Sequence, residues 1–133
     1  MSDALYHEAL MALAKDPAHA APLGPTDGVT VDNPLCGDRV TLAGRIADGK
    51  FVDIRHKVRG CALCQAAAAA LARALDGRPV AALAAAESDL ETALAGGAPP
   101  APWAAFGPVA RHKSRFDCVR LPFSAVKRLV SGT

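Results

Sequence analysis

The sequence predicts an α+β fold, a small antiparallel sheet of about three strands packed by helices. Three observations predict it. Val40–Ile46 and Val52–Val58 each alternate apolar and polar residues with the period of a half-buried strand. Asp48-Gly49 between them is a hairpin signal. The alanine- and leucine-rich segments that follow have helical composition, with no strand–helix–strand alternation of the kind that builds a parallel sheet.

The elements follow in order. Ser2–Lys15 is an amphipathic helix, with Leu5, Leu10 and Leu13 at helical spacing, Ser2 as its cap and Pro17 beyond its end. Residues 16–28 are rich in Pro, Gly and Ala and form a loop. Gly28–Asp32 is a third strand with Val29 and Val31 on one face. Cys61–Asp76 is a helix ended by Gly77. Val80–Ala86 and Ser88–Ala95 are two short helical pieces, the second opened by Ser88 and Glu91 as a capping box. Gly96–Pro102 is a linker loop, and Trp103 and Phe106 anchor the stretch after it on the core. Pro122–Val130 is the last helix, with Pro122 in its first turn.

The hairpin register can be derived from the pattern. Matching apolar faces sets Ile46 opposite Val52, Gly44 opposite Ile54 and Val40 opposite Val58, leaving Asp48, Gly49 and Lys50 as a three-residue loop. Extended past the open end, the pairing puts Asp38 opposite Gly60 and Gly37 opposite Cys61. Directly opposed residues lie about 4.5–5.5 Å apart at Cα. Cys36, Asp38 and Cys61 should therefore meet at one end of the sheet, within reach of a shared metal.

The 133 residues suit one domain, 1–133, and a modest helix-rich core, since much of the 51% hydrophobic content is alanine. A net charge of +2 does not suit a general nucleic-acid binder. The positive charge is uneven, with Arg111, His112, Lys113, Arg115 and Arg120 around Cys118. Asp3, His7, Glu8, Lys15 and Asp16 interrupt any apolar run at the start, so no secretory signal is expected there. The alanine stretches near 66–72 and 81–86 are too short to span a bilayer. The expectation is a cytoplasmic protein without membrane partners, whose thiols stay reduced. Four cysteines in that setting point to metal or sulfur chemistry.

Cys61 opens a helix, where free backbone N–H groups and the helix dipole favour an anionic ligand or nucleophile. Arg115 and Arg120 are expected to lower the pKa of the Cys118 thiol. Cys64 completes a C-x-x-C with Cys61. Its first reading is a small buried residue, with an auxiliary ligand or a persulfide relay next. His56, on the apolar strand face, reads as a satisfied core or edge residue, and His7, His19 and His112 as surface residues.

Asn33-Pro34-Leu35-Cys36-Gly37-Asp38 resembles the N-P-x-C-G-D signature of the IscU/SufU/NifU N-terminal family of iron–sulfur cluster assembly proteins. Arg59-Gly60-Cys61-Ala62-Leu63 resembles that family's G-C motif at the start of its central helix. Arg115-Phe116-Asp117-Cys118 with Leu121-Pro122-Phe123 resembles the C-terminal segment of the SufU branch. The resemblance runs from about residue 5 to 130 and implies a SufE/NifU-like α+β fold with three Cys and one Asp at one tip. It implies that Cys36, Asp38, Cys61 and Cys118 hold Zn²⁺ or an assembling [2Fe–2S] cluster. It implies a cysteine desulfurase of the SufS/IscS/NifS type as sulfur donor, and apo-proteins as cluster acceptors. Cys36 matches the sulfur-accepting position of the SufU branch, Cys118 that of IscU-type scaffolds.

The chain departs from the family pattern at four places. Asp117 stands where IscU-type scaffolds carry histidine. Ala98-Pro99-Pro100-Ala101-Pro102-Trp103 does not match their L-P-P-V-K chaperone motif. Cys64 replaces a small Ser or Ala, and Pro17-Ala18-His19 replaces Pro-Arg-Asn. The function expected is a cluster scaffold that accepts sulfur. The alternatives are a zinc-dependent SufU-type sulfurtransferase that activates a desulfurase, and a structural zinc module. Arg115, Asp117 and Cys64 are auxiliary candidates at the site.

Overall fold

The structure is a computed structural model that describes residues 7–132. It contains α1 (Glu8–Ala14), β1 (Val29–Asn33), β2 (Asp38–Ala47), β3 (Lys50–Arg59), α2 (Ala62–Leu75), α3 (Ala82–Leu94), 3₁₀ segments at Trp103–Arg111 and Lys113–Arg115, and α4 (Phe116–Ser131). The strands form one antiparallel sheet in the order β1-β2-β3. The α+β architecture expected from the sequence is the one observed. Among the described residues no helix is long and apolar enough to cross a membrane.

The centre of the molecule is α2. Ten of its residues, from Leu63 to Leu75, are buried, including the run Ala66–Ala70. Alanine has the highest helix propensity and the smallest apolar side chain, so this helix can be enclosed on several sides at close approach. It packs against α1, α3, α4 and β3, while α4 lies across β1 and β2. Trp103 anchors the 3₁₀ segment, its ring 5.7 Å from Phe106 and 5.5 Å from Phe123, as the sequence suggested.

The hairpin is where sequence reasoning and structure part. Val40 faces Val58 as expected, but Ile46 pairs with Phe51 and Ala47 with Lys50. The turn is therefore two residues, Asp48 and Gly49, both left-handed (φ 53° and 74°), as a type I′ turn requires. The phase is restored by a bulge: Ala43 pairs with Arg55 and Arg45 with Val52, so Asp53 and Ile54 together oppose Gly44. Asp53 is left-handed (φ 56°), and a Cβ on Gly44 would stand 2.7 Å from Ile54 Cδ1. The missing side chain makes room for the extra residue.

Other boundaries also move. The helix cap expected at Ser2 lies outside the described residues; His7 caps α1, its Nδ1 accepting from the Leu10 N–H at 3.4 Å. The third strand is shifted by one residue. The two expected pieces after residue 80 are one helix, because nothing between Ala86 and Ser88 breaks it; Ser88 is interior and its carbonyl accepts from the Thr92 hydroxyl at 2.9 Å. The last helix begins at Phe116, which leaves Pro122 buried in its interior with no N–H to offer the Cys118 carbonyl.

The histidines are tied more tightly than the sequence suggested. His7 Nε2 lies 2.7 Å from the Ala105 carbonyl and His19 Nδ1 lies 3.1 Å from that of Ile54. His112 is exposed. His56 is buried as expected, but its Nε2 has no hydrogen-bond partner. Burial, then the neighbouring His19, holds its pKa below the ordinary histidine value.

Candidate metal centre

The site is built where three elements end or begin. The first is the turn between β1 and β2. Asn33 and Asp38 face each other across the ladder, the Asn33 carbonyl accepts from the Gly37 N–H at 2.8 Å, and Asn33 Oδ1 accepts from the Leu35 N–H at 3.1 Å. Gly37 supplies the left-handed residue that closes the turn (φ 77°). This places Leu35, 88% exposed, and Cys36, also exposed, at the tip and returns Asp38 to the interior at 3% exposure.

The second is the start of α2, where Cys61 is the N-cap residue with extended backbone. Its N–H donates to Asp38 Oδ1 at 3.1 Å, and its Sγ lies 3.6 Å from Asp38 Oδ2. The carboxylate thus satisfies the N–H of the cap residue itself, one of the donors that the start of a helix leaves unpaired. Gly60 makes this fit possible. A Cβ there would collide with Asp38 Oδ1 and stand 2.6 Å from Asp38 Cγ. The register argument placed Asp38 opposite Gly60; that only glycine admits the carboxylate is visible in the structure alone.

The third is the start of α4. Cys118 lies in its first turn, 2% exposed, with its Sγ 3.9 Å from Cys36 Sγ. One ligand atom each from Cys36, Asp38 and Cys118 lies within 4.8 Å of the others. Cys61 borders this group through Asp38. The structure therefore groups three of the residues singled out in the sequence, with Cys61 adjoining them through Asp38. Cys64 lies one turn into α2, fully buried, outside the Cys36–Asp38–Cys118 group. Asp117 is exposed and Arg115 half-buried, with no ion pair among the described residues for either.

Electrostatics at the buried thiols runs against the sequence expectation. Burial first, and then the neighbouring Cys61, pushes the Cys118 thiol well above its ordinary range. Arg120 does not offset this. Its guanidinium turns to Glu91 with hydrogen bonds of 2.9 and 2.6 Å and stands 5.2 Å over the Phe116 ring. Burial likewise pushes the Cys64 thiol up, aided by Asp38, Cys61, Cys118 and Cys36 in that order. As a donor set, three thiols and one carboxylate suit zinc or iron: soft sulfur fixes the ion, and a harder oxygen exchanges more readily.

Comparison with known proteins bears on the fold and the family. The family model described as the NifU-like N terminal domain matches residues 5–116. The zinc-dependent sulfurtransferase SufU of Bacillus subtilis (strain 168) is 32% identical over 93 residues, covering 69% of this chain and 56% of that protein. The iron–sulfur cluster assembly scaffold protein IscU 1 of Archaeoglobus fulgidus is 32% identical over 59 residues, 44% of this chain and 39% of the relative. The chain thus spans about half or less of the length of these two relatives. The crystal structure of a NifU-like protein (N-terminal) from Brucella abortus superposes with a TM-score of 0.83 at 29% identity, covering 98% of this chain and 94% of the other. With the match running through the N-P-L-C-G-D turn, the start of α2 and on to Phe116, the chain belongs to the NifU-like N-terminal domain family.

Proposed function

We propose that the protein is an iron–sulfur cluster assembly protein of scaffold type. In this reading Cys36, Asp38, Cys61 and Cys118 hold Zn²⁺ or a nascent [2Fe–2S] cluster, and the thiols accept sulfur from a cysteine desulfurase. The observation that carries it is the pairing of an exposed and a buried thiol, Cys36 and Cys118, 3.9 Å apart with the Asp38 carboxylate beside them. An exposed cysteine on a turn can meet a partner's persulfide. Its sulfur attacks the outer sulfur of that persulfide, a new S–S bond forms on Cys36, and the donor cysteine leaves as thiolate. Buried neighbours then keep the sulfane sulfur from bulk water. Zinc bound here would hold the thiols as thiolates; a cluster is cargo to be passed on.

A second reading, a zinc-dependent sulfurtransferase that activates a desulfurase, is favoured by the longer match to the SufU relative. The exposed cations Arg111 and Lys113, with Arg115 on the segment leading into α4, offer an acidic partner a basic docking stretch. A structural zinc module fits poorly with the exposure of Cys36, because structural sites are closed. The deciding measurement is the metal and acid-labile sulfide content of the anaerobically purified protein. Iron with sulfide supports the scaffold, zinc without sulfide the sulfurtransferase. A metal-free chain that neither reconstitutes a cluster nor changes desulfurase turnover overturns both.

A further inference from the structure

We propose that Cys61 and Cys64 are an internal dithiol that reduces a persulfide on Cys61 and releases its outer sulfur as sulfide. The proposal rests on the sulfur-accepting reading above and assigns a reacting role to Cys64, which the ligand set does not use.

Three structural observations lead to it. First, Cys61 is the N-cap of α2 and Cys64 its third helical residue, so the two are i and i+3 neighbours. Two residues both on a helix at that spacing have Cβ atoms about 5–6 Å apart, against about 3.5–4.5 Å in a disulfide. Helical side chains lean toward the N-terminus, which tilts Cys64 back toward Cys61. Cys61 itself has extended backbone (φ −72°, ψ 164°) outside the helical repeat, so its side chain is not held at the helical spacing from Cys64. Second, Cys61 adjoins the other thiols through Asp38, whose carboxylate lies 3.6 Å from its Sγ and within 4.8 Å of Cys36 and Cys118. In this proposal a persulfide on either passes its outer sulfur to Cys61 by thiol attack. Third, Cys64 has no exposed surface. It cannot exchange with thiols or oxidants from solution, and its reactive neighbour is Cys61.

The chemistry explains what such a pair contributes. Sulfur arrives as sulfane sulfur, whereas a cluster takes it as sulfide, two electrons more reduced. A dithiol holds that pair of electrons. The Cys64 thiol, kept protonated by its burial, attacks the inner sulfur of the Cys61 persulfide anion as its proton passes to the outer sulfur. The Cys61–Cys64 bond forms as the persulfide S–S bond breaks. The outer sulfur leaves with the bonding electrons and takes the Cys64 proton, so Cys61–S–S⁻ and Cys64–SH give Cys61–S–S–Cys64 and HS⁻. Both cysteines are oxidised and the sulfane sulfur is reduced. An external dithiol reductant resets the pair for a second round.

The test uses the full chain, reduced and then freed of reductant under anaerobic conditions. Sulfur is supplied in one arm by a cysteine desulfurase with cysteine and in the other by inorganic polysulfide removed after loading. Free sulfide is measured, and the Cys61–Cys64 disulfide is mapped by mass spectrometry. The natural chain should release about one sulfide per molecule and carry the disulfide, while Cys64→Ser and Cys64→Ala should keep the persulfide and release at least about tenfold less. Folded variants that release sulfide like the natural chain, or a natural chain giving neither sulfide nor the disulfide after polysulfide loading, overturn the proposal. Should the Cys64 variants fail to fold, the disulfide in the natural chain decides, because its absence after sulfide release excludes the step. Release in the polysulfide arm alone sinks the desulfurase reading and leaves the dithiol step standing.

Discussion

Asp38 depends on a residue with no side chain. Its carboxylate sits where Gly60 leaves space, and it holds the Cys61 N–H in place. Gly60→Ala should therefore displace Asp38 and lower zinc affinity about 10- to 100-fold, the usual effect of disturbing the groups that orient ligands. A competitive zinc titration checks this; unchanged affinity would mean that Asp38 does not need its observed position. His56 gives a pH-dependent prediction. Its folded pKa is depressed, so its neutral form stabilises the fold. That contribution is complete above the ordinary histidine value near 6.5 and declines as the pH falls through the window below it. Denaturant midpoints should drop between pH 7.5 and 5.5 in the natural chain, and less in His56→Leu. At this scale much was legible. The strand pattern brought Cys36, Asp38 and Cys61 together before any coordinates, because a register fixes neighbours at both ends of a hairpin. Cys118 was not placed by local pattern, since its position depends on how α4 packs across the sheet. The thiol environment of Cys118 was misjudged because Arg120 has a partner, Glu91, that lies 29 residues away.

The elements tell a related story about irregularities. The hairpin was correctly paired at its open end and shifted by one residue at its turn. Alternation reports which face a residue occupies, and a single bulge reverses that phase without changing composition. Asp53 and Ile54 opposite Gly44 are such a bulge. Gly44→Ala adds a Cβ against Ile54 at a backbone angle that L side chains rarely adopt (φ 153°). It should cost about 1–3 kcal/mol in urea unfolding, the range for overpacking a well-filled position. A neutral result would show that Ile54 rearranges freely. The start of α4 was missed for another reason. Proline is a common first-turn residue, so Pro122 pulled the expected boundary six residues downstream. Its burial within the helix shows packing prevailing over propensity.

Across the whole molecule, the site joins parts of the chain that are distant in sequence. Cys36 and Asp38 close the β1–β2 turn, Cys61 starts α2 and Cys118 starts α4. An ion held by all four would clamp those three junctions, and ligand binding to the folded state alone raises stability by about 2.7 kcal/mol at a hundredfold excess over Kd. Zinc should raise the melting temperature of the natural chain and a chelator should lower it. Cys36→Ser should lose most of that response. An equal response in the variant would place the ion elsewhere. The α+β class and the motif-bearing ends of the elements were legible because they follow from short-range pattern. The central position of α2 was not: an alanine-rich helix looks the same in sequence whether it lies on the surface or, as here, at the centre.

The β1–β2 turn, with Cys36 at its exposed tip, has one more consequence. Cys36 is open to solvent, Cys61 half-covered, and Cys118 and Cys64 enclosed. The four sulfurs are thus graded by depth, from the exposed tip of the β1–β2 turn to the first turns of α2 and α4. A bulky maleimide should modify Cys36 first on the metal-free chain, while a small haloacetamide reaches Cys61 later and Cys64 only on unfolding. Chemistry that begins outside meets Cys36 first and proceeds inward, so order of reaction is written into the fold as order of access.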